Sequence, residues 1–281
     1  MVVFPSLLGG GGITFGTDGD DLISGGRSPS VVWAGAGNDG LRLGGASDLA
    51  YLEDGDDVAY TEGGDDMVYG GAGNDMIYTG RGNDWAEGGE GNDFLHGADG
   101  NDQLFGREGD DFIFGGDGNN ALYGSDGNDM VVGGSGIDVI FGGSGVDVIL
   151  GGDGMDWISG GRSTYTVTNP DGTETEVEGV NQIYGQGGND MLSGRGGSNQ
   201  FFYRGGDGTD MISSFDAETD EIMLQRNLND SGIEELADLT TRITQIETGA
   251  VVDIGDDSYI LLEGIEASAV LANLDSYFDL I

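Results

Sequence analysis

The sequence of 281 residues contains no cysteine and no lysine, one histidine and three prolines. Without cysteine there are no disulfides and no thiolate metal sites, so a metal ion held by oxygen is the remaining chemical staple. All nine basic residues are arginine, set against 52 acidic residues for a formal net charge of -43. A surface of this sign repels nucleic-acid phosphates and anionic headgroups, and its natural partners are cations. Three prolines beside 59 glycines exclude a collagen triplet. No apolar run reaches about 18 residues, so no membrane span is expected. The lone histidine rules out a His-Glu-x-x-His zinc motif, no Gly-x-Ser-x-Gly elbow occurs, and the chain reads as a non-enzyme. Residues Met1 to Gly12 lack a basic region, which predicts no cleavable export signal at this end. An acidic disordered tail is excluded by the 37% of hydrophobic residues and their regular placement.

That placement has a period of nine. From Gly16 to Ser159, sixteen consecutive nonapeptides run without insertion or deletion, among them GGAGNDMIY (Gly70 to Tyr78) and GGEGNDFLH (Gly88 to His96). Position 4 is glycine in fourteen of the sixteen and position 6 is aspartate in fourteen of the sixteen. Position 8 is always apolar, from Ile23 to Ile158. Glycines at positions 1, 2 and 4 predict positive φ in a tight turn. Positions 7 to 9 predict a strand of three residues that alternates outward, inward, outward, with position 8 as the core. Such a strand becomes stable only when copies stack. The spacing is too short for successive hairpins, and the EF-hand alternative lacks its helices and the glutamate at loop position 12. The Gly-x-Gly-x-x-Gly at Gly35 to Gly40 is a by-product of the repeat without a following helix.

These nonapeptides resemble the hemolysin-type calcium-binding repeat of the repeats-in-toxin (RTX) family. The resemblance implies an all-β fold, a parallel β-roll (a β-helix solenoid) in which two nonapeptides form one coil and a small C-terminal domain caps the end. It further implies several calcium ions between stacked turns, held by turn carbonyls and position-6 aspartates. Carried onto this chain, one side offers Asp21, Asp39, Asp57, Asp75, Asp93, Asp111, Asp129 and Asp147, and the other Asp48, Asp66, Asp84, Asp102, Asp138 and Asp156. Asp190 and Asp210 continue the series. Ser28 and Ser30 replace the glycine and aspartate of one turn, Ala46 replaces a glycine and Asn120 an aspartate, so weak or absent calcium is expected near Ser30.

The expected organisation is an N-terminal cap at 1–15, the roll at 16–159, an inserted hairpin at 160–175, a continuation of the roll at 176–202, and a cap at 203–281. Within that cap a helix is expected over 230–247 and a hairpin over 251–262 around Gly255 to Asp257. The last residues, NLDSYFDLI from Asn273, resemble uncleaved signals of type I secretion, which implies passage through that machinery to the cell surface or the exterior. Positions 7 and 9 are apolar or aromatic in most repeats, and their side chains are expected to face outward from both sheets. Exposed rows of this size mark interfaces. The expected function is an extracellular structural, surface or adhesive protein that self-associates through its sheet faces in calcium. The alternative is a calcium-dependent polysaccharide-binding module, followed by an accessory protein of a secreted hydrolase.

Overall fold

The computed structural model describes residues 2–3, 12–168, 174–204, 208–226, 228, 231–255 and 257–281. The chain is all-β, with 57% strand and 6% helix. It divides into two compact units, residues 1–135 and 136–281.

In the first unit successive strands alternate between two parallel sheets. Trp85–Glu90 pairs with Met67–Ala72 before it and Gln103–Glu108 after it. Phe94–Asp99 pairs in the same way with Met76–Arg81 and Phe112–Asp117 on the opposite sheet. Every such partner lies 18 residues away, so two nonapeptides make one coil. Ile13–Phe15 pairs with Val31 to Trp33 in this register, so the coil pattern reaches upstream of Gly16. The expected cap at 1–15 is otherwise described only at Val2–Val3, which pairs with Asp21 and Leu22; the remainder lies outside the described residues.

The strands are longer than three residues. Most run for six, through positions 7, 8 and 9 and on to positions 1, 2 and 3 of the next repeat, as in Met67–Ala72. Position 1 therefore points inward beside position 8, and Ala34, Leu43, Leu52, Thr61 and Thr79 join the buried column of Val68, Ile77, Leu95 and Leu104. The core thus has two inward positions per repeat. Where both are aliphatic, each adds about 1.5 to 3 kcal/mol of burial; where position 1 is glycine, backbones close on one another instead.

Glycine serves two different needs. Positions 2 and 4 do hold positive φ, as at Gly71 (121°) and Gly73 (130°). Position 1 does not: Gly70, Gly88, Gly97 and Gly106 keep ordinary φ, and glycine is required there because a Cβ would strike neighbouring oxygens. At position 2 the left-handed conformation persists even without glycine, at Glu53, Glu62, Ala98, Arg107 and Ser125.

In the second unit Trp157–Arg162 pairs with Val139–Ser144 and then with Met191–Ser193, while Val180–Gly188 pairs with Val148–Gly154. Between these coils Thr164–Thr168 pairs antiparallel with Glu174–Glu178; the expected turn at Asn169 to Gly172 lies outside the described residues. The sheets continue into the C-terminal segment: Glu221–Leu224 joins Ser198–Tyr203, and Phe278–Leu280 joins Glu221–Leu224. Thr209–Ser213 is followed by Ser258–Glu263 in parallel, and then Gly249–Gly255 and Ile243–Ile246 add antiparallel. The helix expected over 230–247 is replaced by a short 3₁₀ turn at Leu236–Thr241 and the strand Ile243–Ile246. Ile233, Leu239 and Ile243 are buried as a helical stripe would bury them, but Gly232 at φ 76° and the pull of an unpaired sheet edge favour a strand. The only α-helix among the described residues is Ala267–Ala272.

Candidate metal centre

The chain crosses from one sheet to the other at positions 4 to 6, and each crossing directs its position-6 side chain inward. All sixteen expected aspartates are buried, none more than 4% exposed. In each column one carboxylate oxygen is committed to the backbone of the coil before. Asp57 Oδ1 accepts the N–H of Asp39 at 2.6 Å, Asp93 that of Asp75 at 2.8 Å, and Asp111 that of Asp93 at 2.8 Å. The second column repeats this, with Asp66 accepting from Asp48 at 2.7 Å and Asp102 from Asp84 at 2.8 Å. Asn120 takes the same place by accepting from Asp102 at 3.0 Å, and Ser30 donates its own N–H to Asp48 at 2.6 Å.

The other oxygen is the informative one. Oδ2 of Asp39, Asp57, Asp75, Asp93, Asp102, Asp111 and Asp156 is buried and meets no hydrogen-bond donor. A buried carboxylate oxygen without a partner costs several kcal/mol, and columns of them must be compensated. Burial raises these acids out of the usual carboxylate range, against the opposing backbone hydrogen bond each accepts and, at Asp66, first against the Thr61 hydroxyl. Asp57, Asp66 and Asp75 are pushed to about 7, Asp93 and Asp102 to about 6, and Asp111 to about 8. For Asp57, Asp66 and Asp111 the charges of the aspartates one coil above and below add to the rise.

At position 1 the same carboxylate oxygens approach the glycine closely. The Cβ point of Gly70 lies 2.4 Å from Asp75 Oδ2 and 2.2 Å from the carbonyl oxygen of Gly88. At Gly106 the same point lies 2.0 Å from Asp111 Oδ2 and 2.8 Å from the Gly124 carbonyl, and at Gly151 it lies 2.5 Å from Asp156 Oδ2 and 2.6 Å from the Gly185 carbonyl. Carboxylate and carbonyl oxygens thus converge beside these glycines, too close to admit a Cβ. An all-oxygen set of this kind suits a hard divalent cation such as calcium. Among the described residues no three acidic or histidine side chains gather in one cluster, so carbonyls must complete any coordination. Position 1 carries a side chain instead at Ala34, Leu43, Leu52, Thr61 and Thr79, a difference between coils that position 6 alone does not reveal.

Two features lie beyond the expected set. Position 5 forms an outer polar ladder: Asp56 Oδ1 accepts the N–H of Asn74 at 2.8 Å, Asn74 that of Asn92 at 2.9 Å and Asn92 that of Asp110 at 2.9 Å. The recurrence of Asn or Asp at position 5 is the signal in the sequence. In the second unit one column ends without an orphan. Asn181 accepts from Asp147 at 2.9 Å, Asn199 accepts from the Asn181 amide at 3.1 Å, and Asp220 accepts from the Asn199 amide at 2.8 Å. Asp220 Oδ2 also takes the Asp216 N–H at 2.9 Å. Asp220 stands 21 residues after Asn199 and so escapes the nine-residue pattern.

Outside the turns, positions 7 and 9 face away from the core. On one sheet of the first unit Phe15, Trp33, Tyr51, Tyr69, Trp85, Phe105 and Tyr123 form a continuous row with ring centroids 4.6 to 5.5 Å apart. Trp85 reaches across from position 7 to close the gap left by Glu87. On the opposite sheet Tyr60, Tyr78, Phe94 and Phe114 form a shorter row, with His96 beside the last three.

Among curated proteins no relative matches this chain. Among solved structures, the crystal structure of the extracellular lipase LipA from Serratia marcescens is similar over 93% of this chain, with 16% identity and a TM-score of 0.24. This chain spans 40% of that lipase, and nothing about activity follows from the likeness. The family description "RTX calcium-binding nonapeptide repeat" matches in overlapping blocks from 15–50 to 123–166 and again at 177–212. With that match covering most of the sequence, the chain belongs to the RTX calcium-binding nonapeptide repeat family.

Proposed function

We propose that this chain is a secreted protein that folds on meeting extracellular calcium and then associates, with further copies or with a surface, through its ringed sheet faces. Asp75, Asp93, Asp102, Asp111 and Asp156, each beside a position-1 glycine, would hold the ions together with turn carbonyls. The same role extends to Asp21, Asp129, Asp138, Asp147, Asp190 and Asp210, and with less room to Asp39, Asp48, Asp57, Asp66 and Asp84. Bound calcium supplies the positive charge that the buried carboxylate columns lack. Extracellular modules bind calcium at about 10⁻⁴ to 10⁻³ M, so a chain exported from calcium-poor cytosol would fold outside. Passage through a type I system fits the acidic, apolar C-terminus.

The single observation that carries the association is the row of seven rings on one sheet face. Rings in that arrangement offer a flat apolar strip, and contiguous apolar strips mark contact surfaces. Sedimentation velocity and electron microscopy with and without calcium test it. Assembly that needs calcium and disappears in a Trp33→Ser, Tyr51→Ser, Tyr69→Ser variant with unchanged calcium content supports the reading; a monodisperse monomer at high concentration in calcium rejects it. Polysaccharide binding is the second reading, favoured by an acid-free groove in the second unit.

A further inference from the structure

On the outer face of one sheet in the second unit, the side-chain columns change character. Position 9 is occupied by Phe141, then by Ser159, Ser193 and Ser213, which lie in register on neighbouring strands. Loss of the ring leaves a trough about 170 Å³ in volume. One wall is formed by Trp157 and Met191, 58% and 37% exposed and paired across the sheet. The other edge carries Arg195, held by the turn at φ 55°.

The charge of this trough is unlike the rest of the molecule. None of its nine lining residues is acidic, in a chain with 52 acidic residues, and one of its nine arginines is there. Arg195 is exposed and makes no ion pair among the described residues. An unpaired guanidinium, an exposed indole face and a row of hydroxyls are complementary to one ligand chemistry. The indole stacks on the C–H face of a sugar ring, the hydroxyls meet ring hydroxyls, and the guanidinium fits a carboxylate with two parallel hydrogen bonds. The volume is below the roughly 300 Å³ at which pockets enclose a drug-sized molecule, which suits one ring of a chain that continues into solvent.

We propose that this trough is a subsite for a carboxylated pyranose of an acidic polysaccharide, with Trp157 as the stacking platform and Arg195 as the carboxylate anchor. The site rests on the second reading above, polysaccharide binding, and makes no use of self-association. It also differs from metal bridging, in which a turn-bound cation would draw an acidic sugar to the aspartate side of the roll.

The test uses the calcium-loaded full chain carrying Trp33→Phe and Trp85→Phe, so that Trp157 is the one indole reporter. Trigalacturonate, too short to gel with calcium, is titrated against cellotriose as the neutral control. The expected result is a saturable change in Trp157 fluorescence with trigalacturonate and at least tenfold weaker binding of cellotriose. Arg195→Gln, with unchanged circular dichroism and calcium content, weakens trigalacturonate at least tenfold and leaves cellotriose unaltered; Trp157→Ala, followed by calorimetry, weakens both. Trigalacturonate binding that survives Arg195→Gln overturns the site, as does no binding at 10-fold molar excess over a millimolar protein sample. If neutral glycans instead bind and are lost on changing Tyr51 or Tyr69, the site fails while polysaccharide binding stands.

Discussion

Asp93 Oδ1 accepts the backbone N–H of Asp75 at 2.8 Å, while Asp93 Oδ2, equally buried, meets no donor. The two oxygens divide the labour of the turn. One ties successive coils together and needs nothing further; the other lies beside a position-1 glycine and demands positive charge. Stacking and cation demand are thus built from the same side chain, so the roll cannot grow without accumulating like charges.

The metal-free roll is expected to be an acid-stable fold. Asp57, Asp66, Asp75 and Asp129 have folded-state values of about 7, against 3.8 for the free side chain. Between those values the unfolded chain has released its protons and the folded chain keeps them. Stability without calcium is therefore fully present below about pH 4 and falls as pH rises through about 7. Circular dichroism in excess chelator should show full β structure near pH 4 and loss of a large part of it near pH 8. A chelated chain fully folded at pH 8 contradicts the electrostatic account.

Replacing Asp111 by Asn should act with opposite sign in the two conditions. Its carboxyl is pushed to about 8 by burial first and by Asp129 and Asp93 next. Asp111→Asn keeps the oxygen that accepts the Asp93 N–H and deletes the charge, as Asn120 already does for Asp102. At pH 6 in chelator the variant gains stability, on the order of a few kcal/mol. In millimolar calcium it loses stability and binds less metal. Urea titrations in both buffers, with calcium counted by mass spectrometry, read both signs.

The two glycine roles give opposite outcomes on exchange with alanine. At Gly88 a Cβ would lie 2.1 Å from Asp93 Oδ2, with ordinary backbone φ. Gly88→Ala should therefore weaken calcium binding at Asp93 and also destabilise the chelated roll, because the Cβ strikes the Asp93 carboxylate whether or not metal is bound. At Ala98 the backbone already sits at φ 80°, and Ala98→Gly should stabilise the roll by roughly 1 kcal/mol with no change in calcium content. Thermal melts with and without calcium separate the two effects.

How much of this was legible depends on whether a residue carried a repeated side chain. Position 6 and position 8 show a carboxylate or an aliphatic group every nine residues, and the coil register followed from them. Position 1 hid its inward role because glycine has no side chain to pattern; only Leu43, Leu52 and Thr61 hinted that it alternates with position 8. The position-5 ladder was present as Asp20, Asn38, Asp56 and Asn74, yet its hydrogen bonds run between residues 18 apart and appear only on stacking. Beyond Phe202 the spacing loosens, with Asn199 answered by Asp220 and the Asp190 N–H by Asp210, and the apolar spacing of 233 to 243 mimicked a helix where the sheet edge required a strand.

The column that ends at Asp220 is expected to hold its structure without metal. Asp220 Oδ1 receives the Asn199 N–H at 3.1 Å and its side-chain amide at 2.8 Å, and Oδ2 receives the Asp216 N–H at 2.9 Å. Asn199 in turn satisfies the Asn181 amide at 3.1 Å. These neutral amides replace the charge that the aspartates of Asp75 to Asp111 require, so the turns near residues 181 to 220 carry a far smaller repulsive load. Hydrogen exchange in chelator at pH 8 should leave backbone amides near Asn181, Asn199 and Asp220 protected while those near Asp75, Asp93 and Asp111 exchange freely. Asn199→Asp places a second carboxylate against Asp220 and should abolish that protection until calcium is restored; Asn199→Ala should cost about 1 to 3 kcal/mol in either condition, by leaving buried groups unpaired. Equal exchange along both stretches in the unmodified chain would show that the amide column confers no independence from metal.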